Sequence, residues 1–177
     1  MRRSIAAASL AAGLVAAMAC PTPASADQSG TTPVTLAVTT GTIDITVPTG
    51  PVSLGTVPAS NSPQTVSQQL GNVMVSDSRG GTAGWVVTAS AVDFTGPQTI
   101  SVSAPGSSSY TAPAATVTGT ATVTNSDLSP LYPPGPVQTA TGVSGINTAV
   151  WNPTISVTIP AGALAGTYSS TITHSVA

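Results

Sequence analysis

The sequence predicts an all-β fold of about eight to ten strands, and three observations point to it. From Thr31 onward, short runs of Val, Ile, Thr and Leu alternate with clusters of Pro, Gly, Ser and Asn, the punctuation of strands and tight turns. No window repeats apolar residues at helical spacing between capping signals. Several runs alternate strictly in twos, which places their apolar residues on one face of a half-buried strand. This spacing of short strands and turns suits a two-sheet β-sandwich of immunoglobulin-like or related topology.

The elements follow in order. Residues 34–40 and 42–47 read as a pair broken at Gly41, with Ile43, Ile45 and Val47 sharing a face. Residues 52–57 form a run after the turn between Pro48 and Pro51, and residues 64–70 lead into the centre of the chain. That centre, residues 71–94, is expected to be a hairpin. It joins the apolar run Val73-Met74-Val75 to residues 85–92, rich in β-branched and aromatic side chains, through a glycine-rich loop. Residues 99–103 and 115–124 alternate again, and residues 105–113 read as a loop carrying Tyr110. Residues 125–145, rich in Pro, Gly and Ser, read as the longest irregular stretch and a surface loop. Residues 154–159 and 166–176 close the fold, the last with Tyr168, Ser170, Ile172, His174 and Val176 on one face.

The N-terminus reads as a leader. Arg2 and Arg3 form a basic start, residues 5–19 are apolar but short for a membrane span, and Ala24-Ser25-Ala26 fits a small-x-small cleavage site. Residues 1–26 are therefore expected to be a signal peptide cleaved after Ala26, leaving one domain over residues 27–177 with no membrane span. A lipoprotein site at Cys20 is the alternative, although the branched residue usual three positions before such a cysteine is absent.

Removing the leader leaves Arg79 as the only fixed cation against five aspartates, with no lysine, glutamate or cysteine. One arginine cannot supply the basic footprint that nucleic acid or an anionic lipid surface requires. No disulfide can staple the fold, so stability must come from apolar burial. Thr and Ser must cover the exposed faces that charges usually cover. Edge strands lack lysine, leaving Pro48, Pro58, Pro97 and Pro160 as candidate edge guards, and an unguarded edge as a docking surface for a partner strand.

Several stretches together resemble a known family. They are Val75-Ser76-Asp77-Ser78-Arg79-Gly80, residues 84–90 with Asp93-Phe94-Thr95, Trp151-Asn152-Pro153 with Val157-Thr158-Ile159-Pro160, and Ala165-Gly166-Thr167-Tyr168 running on to residues 171–177. In order and spacing they resemble the WxL-domain surface proteins of Gram-positive bacteria, and more closely the WxL-like secreted proteins of actinobacteria. The resemblance implies an all-β domain held non-covalently at the cell wall through peptidoglycan. The chain departs from the pattern where the name-giving Trp-x-Leu reads Trp85-Val86-Val87, and where Thr173-His174-Ser175-Val176 near the end carries no tryptophan.

Six residues are candidates for ligand contact. Asp77 and Arg79, two apart, either offer a glycan or peptide-stem contact through the guanidinium fork or form a local pair that pins their loop. Trp85 and Trp151 either stack on sugar rings or belong to the core with their N–H groups partnered. Tyr110 and Tyr132, in polar loops, are expected to be exposed. Enzymatic chemistry has little to stand on: His174 is the single histidine, and no pair of aspartates has the spacing of a shared cleft. No metal or cofactor motif occurs. The expected function is that of a secreted, non-catalytic surface protein whose partner is cell-wall glycan. The alternative is a structural subunit that joins other surface proteins through strand edges.

Overall fold

The computed structural model describes residues 29–177. The expected leader, its cleavage site and Cys20 lie outside the described residues. The chain divides into two units, Met1–Ala37 and Val38–Ala177. In the first, residues 29–37 have no regular secondary structure. The second is all-β.

Its nine strands are β1 (Ile43–Thr46), β2 (Gln64–Gln69), β3 (Val73–Asp77), β4 (Trp85–Ala91), β5 (Ser108–Thr111), β6 (Thr116–Asn125), β7 (Gly135–Trp151), β8 (Thr154–Ile159) and β9 (Ile172–Val176). They form two antiparallel sheets. The smaller runs β2-β8-β5. The larger is organised on β7, whose 17 residues pair with β6 along one flank and with both β3 and β4 along the other. Beyond β3 lies β1, and beyond β4 lies β9.

Two strands can share one flank of β7 because β4 pairs with its first part, residues 135–140, and β3 with its last, residues 147–151. Between these parts Gly142 and Gly145 adopt φ of 59° and 75°, values that glycine reaches without the steric cost of a Cβ. The register of β6 against β7 shifts over the same stretch, so β7 changes course there.

The expectation of a sandwich is met, and alternation explains the core. In β3 and β4 every second residue is buried, bringing Val73, Val75, Trp85, Val87 and Ala89 inward. Ile155 and Val157 of β8 and Tyr110 of β5 join the same cluster from the smaller sheet. Burying aliphatic and aromatic side chains of this kind stabilises a fold by roughly 1.5–3 kcal/mol each relative to exposure.

Four expectations are corrected. β3 and β4 do not form a hairpin: they do not pair with each other, and each pairs instead with β7, a strand more than 40 residues further on. Residues 125–145 are not a long loop, since β7 already begins at Gly135. Its alternation is hidden because Gly, Thr and Ser occupy many of its positions. Residues 34–40 and 52–57 form no strand, because an alternating run becomes one only when a partner meets its N–H and C=O groups. Conversely, residues 108–111, read as loop, pair with β8 and make β5.

Candidate functional site

Two buried polar chains cross the core. The first begins at Trp85, whose Nε1–H donates to Asn147 Oδ1 at 3.1 Å, and Asn147 Nδ2 donates onward to Asp77 Oδ2 at 3.3 Å. Asp77 ends β3 and is only 2% exposed, so its carboxylate needs a counter-charge. Arg79 provides it in a forked contact, Nε to Oδ1 at 2.9 Å and Nη2 to Oδ2 at 3.0 Å. The same guanidinium donates to the carbonyls of Ala83 and Gly84, so it closes the loop between β3 and β4. Bonding to Arg79 holds the Asp77 carboxyl below its ordinary range, and Asp77 raises the guanidinium above its own. The loop tolerates no bulk at its exit, where a Cβ on Gly84 would run into the Ala140 carbonyl oxygen.

The second chain joins the sheets. Trp151 Nε1–H, from β7, donates to Tyr110 Oη at 3.0 Å, and that oxygen lies 3.0 Å from His174 Nε2 in β9. An indole can only donate, and burial pushes His174 down to about 4, leaving the ring neutral at pH 7. With the indole donating to its oxygen, the tyrosine hydroxyl has its own proton to place, and the Nε2 of an imidazole protonated on Nδ1 is the acceptor within reach. Burial pushes the tyrosine hydroxyl up to about 12, so it stays protonated.

These contacts place the six candidate residues. Trp85 and Trp151 are each 2% exposed and Tyr110 is fully buried, so none presents a ring face to a sugar. The expected exposure of Tyr110 is thereby corrected: it lies on β5 with its side chain inward, not in a loop. Asp77 and Arg79 form the local, loop-closing pair. Tyr132 alone of the six is an exposed aromatic, at 54%.

The other aspartates among the described residues also bond to their own fold. Asp93 accepts from the Val102 amide, Asp127 from the Ala112 amide and Asp44 from the Thr42 hydroxyl. Among the described residues no three of His, Cys, Asp or Glu gather into a potential metal set. Nor is any described helix long and apolar enough to cross a membrane.

The outer face of the smaller sheet carries an uncharged polar surface that no sequence motif marks. Strand register aligns Thr65 with Thr158, Ser67 with Ser156 and Ser109, and Gln69 with Thr154 and Thr111. Hydroxyls meet across the strands, Ser67 with Ser156 at 2.6 Å and Thr65 with Thr158 at 3.2 Å. At one end Thr65, Ser109, Ser129, Ser156 and Thr158 line a recess of about 200 Å³. Gly106 and Thr158 connect it to a wider groove of about 480 Å³ with walls from Pro63, Ile100, Ala104, Pro105 and Pro160. Ser129 belongs to the loop between β6 and β7 that also carries Tyr132. The signal was present as the Thr/Ser alternation of residues 64–69 and 154–159, but without strand pairing it reads only as a solvated face.

Comparison with protein-family models, with curated proteins and with solved structures finds no match for this chain.

Proposed function

We propose that the protein is an exported, non-catalytic envelope protein that associates non-covalently with cell-wall glycan through the hydroxyl-lined recess and its adjoining groove. The observation that carries this reading is the pairing of two surfaces with no ionisable side chain. A sugar ring has a hydroxyl rim and apolar C–H faces. The Ser and Thr of the recess both donate and accept hydrogen bonds, and the Pro and Ala walls of the groove offer apolar contact. Tyr132, exposed in the loop that borders the recess, adds an aromatic face.

The resemblance to WxL-type surface proteins supports the same partner, with a change in the contact residues. The buried tryptophans act in the core, and the outer face of the smaller sheet supplies the contact.

The test is sedimentation with isolated peptidoglycan. Retention in the pellet is expected to persist at high salt, since no ion pair is involved. Ser156→Val combined with Thr158→Val should abolish retention while leaving the melting temperature within a few degrees. A chain that stays in the supernatant, or variants that still pellet fully, would overturn the reading.

A further inference from the structure

The longest edge of the larger sheet has no charged or proline guard. β6 pairs with β7 on one side, and among the described residues no strand pairs with its other side. Edges of this kind are normally blunted by lysine, proline or an inward charge. β6 reads Thr116-Val117-Thr118-Gly119-Thr120-Ala121-Thr122-Val123-Thr124-Asn125 and has none of these. The prolines expected to guard edges, Pro48, Pro58, Pro97 and Pro160, all lie outside the strands. Gly119, at φ of 87°, kinks β6, and register shifts at Gly119/Thr120 and Thr120/Thr122 follow it, so that in the far half of the strand, residues 120–125, regular pairing with β7 resumes at Thr122. Along it Ala121 and Val123 are only half-covered, at the rim of the core.

The same chain carries a segment with the complementary deficiency. Val34, Leu36 and Val38 alternate with Thr35, Ala37 and Thr39, and are 89%, 92% and 90% exposed. Among the described residues no backbone hydrogen bond involves residues 33–40. Three exposed aliphatic side chains in alternation have the pattern of a β-strand without forming one, since no partner meets their backbone.

We infer that residues 34–40 of one copy add as a strand to the free edge of β6 in a second copy. Val34, Leu36 and Val38 then continue the apolar inner face over Ala121 and Val123, and Thr35 and Thr39 continue the threonine-covered outer face. Backbone groups on both sides gain partners, and neither segment carries a charge that would oppose the pairing. Each copy has one donor segment and one acceptor edge, so the contact is head-to-tail and propagates into chains unless a ring closes. It uses a different surface from the glycan recess and stands without it.

Sedimentation velocity of the full chain, with no wall material present, tests this. The wild type should form species larger than a monomer as concentration rises. Leu36→Asp, which lacks the donor, and Thr122→Lys, which blocks the edge, should each be monomeric with unchanged circular dichroism. Mixed together they should form a one-to-one dimer, since each keeps the half the other has lost. A synthetic peptide of residues 33–40 should bind Leu36→Asp and fail to bind Thr122→Lys. A wild type that stays monomeric, association that survives Leu36→Asp, or association that survives Thr122→Lys would each overturn the inference.

Discussion

Tyr110 and His174 meet across the two sheets, with the hydroxyl oxygen 3.0 Å from the imidazole Nε2 and the rings edge to face at 5.6 Å between centroids. Trp151 completes the link from β7, so one tyrosine from the smaller sheet is tied to two strands of the larger. With no cysteine among the described residues, this neutral polar link supplies a directional tie between the layers. Apolar burial alone is non-directional.

The link makes stability sensitive to acid. His174 titrates near 4 when folded and near 6.5 when unfolded, so between those values the unfolded chain binds the proton that the folded one refuses. The contribution is fully present above pH 6.5 and is lost as pH falls toward 4, a change of roughly 2–3 kcal/mol. Denaturant melts at pH 7, 5.5 and 4.5 should show falling stability, and His174→Gln should flatten most of the slope.

Tyr110→Phe keeps the ring and removes only the hydroxyl, leaving the Trp151 N–H and His174 Nε2 without their partner. A buried group left unsatisfied costs about 1–3 kcal/mol, so a loss of roughly 2–4 kcal/mol is expected in urea unfolding. The same variant should release His174 from its hydroxyl donor, visible as a change in imidazole chemical shift.

Arg79→Ala strands the Asp77 carboxylate in the core and opens the loop that the guanidinium closes. Removing one partner of a buried pair destabilises by about 3–5 kcal/mol, and partial exposure of Arg79 puts the expectation at roughly 3 kcal/mol. Asp77→Asn with Arg79→Met should lose less than Arg79→Ala, because no uncompensated charge remains. Peptidoglycan retention by that double variant should match the wild type, since neither residue lines the recess.

Strand identity was legible wherever side chains alternate sharply. Residues 154–159 match β8 at both ends, and residues 115–124 match β6 within one position. Pairing was less legible, because the partner of β3 and β4 lies far along the chain and its composition resembles a loop. Gly142 and Gly145 read as breaks, yet they let β7 change course and serve two neighbours. At the site, the Asp77–Arg79 pair could be read from its spacing. Asn147 and the Tyr110–His174 contact could not, since they join residues more than 60 positions apart through a topology that local patterns do not encode.

The grip on Arg79 has a bearing on resistance to proteolysis. No other lysine or arginine follows Arg3, so a trypsin-like protease has one peptide bond to attack across the folded domain. Such enzymes must draw the cationic side chain into a specificity pocket, and here that side chain is bound to Asp77, Ala83 and Gly84. Cleavage has to wait for the loop to open locally, and amine-directed coupling reagents find no lysine to modify.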